Sequence, residues 1–133
     1  MPDDLARTVL LEELPQEEGI AREGFLACVA VENRDADPEL LAALREAHLD
    51  AVPASECQWD IGGSFHRASK RKAMLVKVYG FKRAGTIEFE AEHAGKYGTV
   101  KTLEVARDSS GWRIVRVLSH MMARSSNTLD ATR

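Results

Sequence analysis

The order of apolar and polar residues divides this chain into an early helical part and a later part made of strands. Near the amino terminus, Leu5 and Val9 recur at helical spacing, and Pro15 ends that helix. The segment 15–24 (PQEEGIAREG) is acidic, and we predict a loop there. The segment 25–34 (FLACVAVENR) is an apolar run that ends in turn residues, which predicts a buried strand.

The strongest helix signal in the chain begins at Asp37. Asp37 is a capping residue type, and Pro38 suits the first helical position because the N–H that it lacks would have no partner there. The segment 38–49 then carries one apolar stripe, formed mainly by leucines, and Pro53 follows its end. We therefore predict one long helix here.

After Gln58 the apolar period changes from about 3.6 residues to 2, which is the period of strands. Glycine-containing turns separate the alternating segments, as hairpins require. The segments are 73–81, 86–93, 97–106 and 112–119, with a shorter one around 57–61. The prediction is an α+β fold: an N-terminal helix, a buried strand, and one long helix packed on a C-terminal antiparallel meander of four to five strands. We expect one domain over 1–122 and a flexible tail over 123–133.

The alternation also sets a register for the first hairpin of the meander. Pairing across the turn at 82–85 puts Lys77 opposite Glu90 and Tyr79 opposite Glu88 on a polar face. The same register faces apolar residues inward, namely Met74, Val76 and Val78 against His93, Ala91 and Phe89. Lys77 is therefore expected to keep the sheet soluble rather than to bind phosphate.

Composition adds a charge asymmetry to this outline. At 133 residues, with 44% hydrophobic and 29% charged residues, the chain is long enough to bury a core. Residues 1–60 hold 15 of the 21 acidic residues and 4 of the 18 basic ones, whereas 61–133 hold 6 and 14. We expect the two halves to attract each other in the fold, and any uncompensated charge to steer a charged partner.

The longest apolar run, Phe25–Val31, is far shorter than the roughly 20 residues that span a bilayer, so no membrane span is expected. No basic start followed by an apolar stretch is visible, so cytoplasmic localisation is the default. Cys28 and Cys57 fit neither a metal-ligand spacing nor a redox motif. Two interpretations stay open: small buried residues in a reducing compartment, or a disulfide in a periplasmic or secreted protein whose export signal has been removed.

The segment 64–74 (SFHRASKRKAM) concentrates basic residues without any acid. These contact-loop candidates are His66, Arg67, Lys70, Arg71 and Lys72. The loop is interpreted as a solvated turn, as a contact with an acidic protein or with the chain itself, or as a weak phosphate site. No aromatic residue is interleaved for base stacking, so nucleic acid is not the expected partner.

A second set of candidates lies on the inward face of the sheet. By alternation, His93 faces inward beside a turn, Tyr97 lies just across that turn, and Lys101 follows on the same face. A polar end to an apolar face is where a small-molecule pocket opens, and a histidine beside a phenol can act as acid or base near neutral pH. Alternatively, the three side chains satisfy each other at the edge of the core. The histidine spacing predicts no metal site, and no cofactor motif is present.

Two stretches resemble known bacterial proteins. The helix DPELLAALREAH and the last strand SSGWRIVRVL resemble small α+β proteins with a nuclear-transport-factor-2-like (NTF2-like) or cystatin-like sheet. The stretch CVAVENRDADPELLAALR followed by VPASEC is similar to bacterial proteins of unknown function, which implies that both cysteine positions recur there. The resemblance covers roughly 25–119. Enzymes of the NTF2-like group use an acidic residue, histidine or tyrosine in a cone between helix and sheet, but no such residue aligns here. The buried strand at 25–31 is a departure from that fold.

These observations favour a non-enzymatic binding or interaction module that acts through surface contacts, as a homodimer or with an acidic partner. The absence of a convergent catalytic set supports this interpretation, although it leaves enzymatic activity open. The alternative is an NTF2-like small-molecule binder or enzyme. That alternative requires a pocket of at least about 300 Å³ between helix and sheet.

Overall fold

A computed structural model describes residues 1–81, 83–93 and 97–124, without the side chains of residues 97, 123 and 124. The helices are α1 (Asp3–Glu13), α2 (Glu18–Ala21) and α3 (Pro38–Glu46), with 3₁₀ turns at Leu14–Gln16 and Ala54–Glu56. The strands are β1 (Leu26–Val31), β2 (Arg34–Asp35), β3 (Ala51–Pro53), β4 (Cys57–Asp60), β5 (Gly63–His66), β6 (Ala73–Tyr79), β7 (Thr86–Glu92), β8 (Tyr97–Asp108) and β9 (Gly111–Arg124). Most of the predicted tail, 123–133, lies outside the described residues.

The main sheet has the strand order β2-β1-β6-β7-β8-β9, and β3 also pairs with β1. Strands β6 to β9 form an antiparallel meander of four strands, as predicted. In contrast, β1 runs parallel to both β6 and β3, so the sheet is mixed. The short strand predicted near residue 57 exists as β4, but it pairs with β5 in a separate hairpin. The α+β class is therefore confirmed.

The predicted register of the first hairpin is also confirmed. Lys77 pairs with Glu90 and Tyr79 with Glu88, while Val76 and Val78 pair with Ala91 and Phe89. The alternating pattern is sufficient here because a shift by one residue would turn every apolar side chain to solvent.

Two helical predictions need correction. The segment 15–24, predicted as a loop, contains the end of a 3₁₀ turn and the short helix α2, and Ile20 of this helix packs against the hydrophobic core. The helix that begins at Pro38 has nine residues and is shorter than α1, which has eleven. It stops at a Schellman motif: His48 takes a φ of 64°, and the Leu49 N–H bonds to the Leu44 carbonyl at 3.0 Å.

The core lies in two clusters on opposite faces of β1. Its residues Ala27 and Val29 belong to the main cluster, which packs the inner face of the sheet against α1 and α3. Its residues Leu26 and Cys28 belong to a smaller cluster on the other face, with Cys57 and Ala73. Burial on both faces explains why the strand is an unbroken apolar run, and it confirms the predicted buried strand.

The last strand of the sheet, β9, pairs with β8 alone within the described residues. Its register skips Val115 and Leu118, which marks two bulges. In the described part of the chain, no helix has the length and the apolar character needed to cross a membrane.

Candidate functional site

Four polar side chains are buried together where the end of α1 and the following turn meet β8. Lys101 Nζ donates a hydrogen bond to Glu13 Oε1 at 2.6 Å, and Thr99 Oγ1 donates one to Glu17 Oε1 at 3.1 Å. None of the four residues is more than 7% exposed. Charged residues are almost never buried this deeply unless they are paired, so this polar cluster stands out from the apolar core around it.

The sequence positions these groups through ordinary secondary structure. Glu13 ends α1 on the same helical face as the buried Val9 and Leu10, so its carboxylate points toward the sheet. The 3₁₀ turn that follows brings Glu17 to the same side. On β8, alternation turns Thr99, Lys101 and Leu103 inward together.

Electrostatics within the polar cluster are unbalanced. The cluster contains one cation, Lys101, and two carboxyl groups, Glu13 and Glu17. Burial raises the pKa of Glu17 above its ordinary value, and the nearby Glu13 carboxylate raises it further, whereas the Thr99 hydroxyl and the Lys101 ammonium act in the opposite direction. From the residues that the structure describes, no hydrogen bond reaches the second oxygen, Glu17 Oε2.

A cleft of about 310 Å³ opens beside the polar cluster, and Glu17, Thr99 and Lys101 form part of its wall. Its remaining wall comes from the turn after α1, from α2 and the loop that follows, and from three strands: Gln16, Glu18, Gly19, Glu23, Met74, Gly98, His120 and Met122. The volume is at the lower end of the range for small-molecule sites, and the wall combines apolar and polar groups as such sites do.

Of the predicted pocket residues whose side chains the structure describes, Lys101 lies in the wall of the cleft and His93 does not. His93 faces inward and is buried, as predicted, but it packs against the ring of Phe25 at 4.7 Å, and its Nδ1 donates to the Ala73 carbonyl at 2.7 Å. It is absent from the described wall of the cleft. Its ring also contacts Gly63, where any side chain would collide with it. The side chain of Tyr97 lies outside the described residues.

The basic loop makes most of its contacts within its own chain. His66 Nε2 lies 2.9 Å from Glu56 Oε1, and its Nδ1 lies 2.8 Å from the Ser69 hydroxyl. Arg67 donates to the backbone carbonyls of Ser55 at 2.5 Å and Cys57 at 3.3 Å. These contacts fasten the loop to the start of the β4–β5 hairpin.

The other half of the loop is held in the same way. Arg71 forms an ion pair with Asp50 at 3.1 Å and donates to the Gly24 carbonyl at 2.9 Å. Lys70 lies over the ring of Phe65 with Nζ 5.6 Å from the ring centre, and Lys72 forms an isolated bridge with the same residue. Acidic residues of the first half of the chain therefore compensate part of this basic loop.

The two cysteine sulfur atoms lie 2.10 Å apart, at the distance of a disulfide bond, with their Cα atoms 6.4 Å apart. Cys28 is fully buried and Cys57 is 9% exposed. Of the two interpretations that the sequence left open, this placement corresponds to the bonded pair, and it links β1 to the first residue of the β4–β5 hairpin.

The polar cluster includes three residues that sequence reasoning missed, Glu13, Glu17 and Thr99. A signal for Glu13 was present, because it continues the apolar helical face of α1 three and four residues after Leu10 and Val9. The sequence gives no such signal for Glu17, because this residue lies in the acidic segment 15–24, for which the pattern predicted a loop.

Within the described residues, no group of three or more histidine, cysteine, aspartate or glutamate side chains could hold a metal ion. Comparison of the chain with protein-family models, with curated protein sequences and with solved structures found no match in any of the three.

Proposed function

We propose that this protein binds a small organic molecule in the cleft beside the polar cluster. The observation that carries the proposal is Glu17: a carboxyl group 6% exposed, in the wall of a cavity, with one oxygen bonded to Thr99 and the other without a described protein partner. Glu17 Oε2 is not sealed from solvent, so it is open to a hydrogen-bond donor of a bound ligand.

The energetics of the Glu13–Lys101 pair support the same conclusion. Replacing a buried ion pair with apolar residues of similar volume is often neutral or stabilising, so such a pair is weak evidence for a stabilising role. Here Lys101, the cation of the pair, lies in the wall of a cavity. Its position between the helical segment and the inner face of the sheet is also where the NTF2-like resemblance would place a ligand.

Thermal unfolding in the presence of a library of small compounds tests this proposal. We expect at least one compound to raise the unfolding temperature of the wild-type protein but not that of Glu17→Gln, which keeps the shape of the side chain. Glu12→Gln, an exposed position on α1, is the matched control and should respond as the wild type does. A library without hits, or hits unaffected by Glu17→Gln, would contradict the proposal.

A second candidate function is self-association through β9, and a specific observation favours it. Five of the exposed large apolar residues of the described chain belong to this strand: Val115, Val117, Leu118, Met121 and Met122, with exposures between 40% and 77%. By alternation Met121 and Met122 face opposite sides of β9, so these exposed residues are distributed over both faces of the strand.

The occupant that we propose for this surface is a second copy of the chain. The strand β9 is 14 residues long and contains no acidic residue, proline or lysine, although its arginines and its two bulges are features that also oppose edge pairing. Antiparallel pairing of two β9 strands about a two-fold axis would satisfy both edges and cover both apolar surfaces.

Light scattering distinguishes this dimer from a monomer. We expect Leu118→Lys/Met121→Lys to convert a dimer into monomers, because lysines on an edge strand oppose pairing. Ile61→Lys, at a fully exposed apolar position on the β4–β5 hairpin, is the control and should leave the dimer unchanged. A wild-type protein that is monomeric at high concentration would contradict this candidate.

The cysteine pair supports a proposal about the compartment. Disulfides persist in oxidising environments, so we propose that the protein functions in one. Intact mass after thiol alkylation in denaturant tests this for protein purified without reductant. Two labels before reduction would contradict the bonded state, and no label before but two after reduction would support it.

A further inference from the structure

The charges around the cleft indicate a class of ligand, and this inference rests on the proposed function. The acidic residues in the wall are Glu17, Glu18 and Glu23, and the one lysine is Lys101. Lys101 is already held by Glu13 at 2.6 Å, so its charge is compensated within the protein. Among the described wall residues, the buried carboxyl group of Glu17 is therefore the one that can offer negative charge to a bound molecule.

The position of that negative charge differs among the three glutamates. Glu18 lies 3.8 Å from Arg22, and both side chains are 79% exposed, so solvent screens this pair and the Glu18 charge is worth little. Glu17 is buried, so its carboxylate would interact more strongly with an ion inside the cleft. A positive charge on a ligand would therefore interact most favourably at the inner end of the cleft, beside the Glu17 carboxylate.

The rest of the wall suits an apolar body. Met74, on the inner face of β6, and Met122, on β9, are flexible and polarisable side chains that adapt to irregular apolar groups. A ligand with one charged end would place that end at Glu17 and its apolar part between these methionines.

We propose that the cleft binds a small organic cation that carries an ammonium group on an apolar body. The ammonium donates to Glu17 Oε2 and replaces the protein partner that this oxygen lacks among the described residues. Such charge-assisted bonds are about twice as strong as neutral ones, and exclusion of water adds to the discrimination.

Binding of a cation is then coupled to the ionisation of Glu17. Because burial raises the pKa of Glu17, protonation competes with the ligand, and affinity should increase as pH rises through that pKa. The other groups facing this carboxyl are Glu13 from α1, Glu18 from α2, Glu23 from the loop, Lys101 from β8 and His120, which pairs with Lys101 from β9. Separate variants at Glu17 and His120 distinguish the contributions of these two residues.

Three probes of matched size and different charge test the ligand class: 2-phenylethylamine, 2-phenylethanol and 3-phenylpropionate. Binding is followed by the amide chemical shifts of Gly98 and Thr99, with Gly111 at the distant β8–β9 turn as an internal control. The amine stays protonated at pH 8, because the pKa of an alkylammonium group is about 10. We expect the amine to bind at least tenfold more tightly than the other two probes at pH 8, and more weakly at pH 5.

Variants separate the possible outcomes. Glu17→Gln should weaken amine binding at least tenfold and remove most of its pH dependence, whereas Glu12→Gln should do neither. His120→Gln should keep the pH dependence of amine binding. If His120→Gln lost this pH dependence while Glu17→Gln retained it, the role assigned to Glu17 would be overturned. Equal or tighter binding of the alcohol or the carboxylate at the same amides would overturn the cation class while the cleft stays a binding site. If none of the three probes shifted these amide signals, both the cation class and the proposal that the cleft binds small molecules would be contradicted.

Discussion

The two faces of the sheet are held by different means. On the inner face, a large apolar cluster packs against α1 and α3 and ends at the polar cluster of Glu13, Glu17, Thr99 and Lys101. On the outer face, the small cluster has only four buried residues, and two of them are the cysteines at bonding distance.

The largest effect is expected from breaking the buried pair on the inner face. Lys101→Met leaves the Glu13 carboxylate buried without its cation, which should lower the free energy of unfolding by about 3–5 kcal/mol. Replacing both residues, as Glu13→Leu/Lys101→Met, should recover most of that loss because no charge is then stranded. Urea denaturation measures both, and a single variant within about 1 kcal/mol of the wild type would show that the pair is accessible to water.

Removal of the link on the outer face should have the next largest effect. The two cysteines are 29 residues apart, and the chain-entropy model gives roughly 3–4 kcal/mol for a loop of this length. Cys28→Ala/Cys57→Ala should lose about that amount and should unfold identically with and without reductant. Wild-type protein that is equally insensitive to reductant would show that the small cluster holds without the covalent link.

A pH-dependent effect distinguishes the polar end of the inner face. Because the pKa of Glu17 is raised in the folded protein, folding binds a proton that the unfolded chain releases above pH 4.5, its ordinary value. The stability that this proton contributes is present below that pH and is lost as pH rises through the raised pKa. Wild-type stability relative to Glu17→Gln should therefore decrease between pH 4 and pH 8, by about 1.4 kcal/mol for each pKa unit. Urea denaturation measures this difference. If the free energies of unfolding of the wild type and Glu17→Gln differed by the same amount from pH 4 to pH 8, the raised pKa of Glu17 would be contradicted.

The smallest effect is expected for a lysine on the outer face. Lys77 lies opposite Glu90 in the register, and both are partly exposed, so Lys77→Met should change the free energy of unfolding by only about 0.2–1 kcal/mol. Lys77→Met is the same chemical change as Lys101→Met, but it is made at a partly exposed position. Water can solvate the Glu90 carboxylate that remains there. If Lys77→Met and Lys101→Met lowered the free energy of unfolding by similar amounts, the two faces of the sheet would not differ in the way proposed.

Alternation in the sequence was enough for the meander and for the inward placement of Lys101. The position of β1 could not be predicted, because a strand buried on both faces carries no alternation to set its neighbours or direction. The surroundings of His93 depend on that strand, since the β1–β6 pairing brings Phe25 and Ala73 to its ring. The polar cluster combines α1 with β8, more than 80 residues apart, and only the folded chain joins them.

The central claim is that the cleft beside the polar cluster holds a ligand, and methyl NMR of the methionines tests it most directly. The chain has four methionines. Met74 and Met122 line the cleft, whereas the neighbouring Met121 is outside its described wall. We predict that a bound compound shifts the first two methyl signals and leaves the Met121 signal in place. Compounds that shift Met121 alone, or none that shift Met74 and Met122, would contradict the claim.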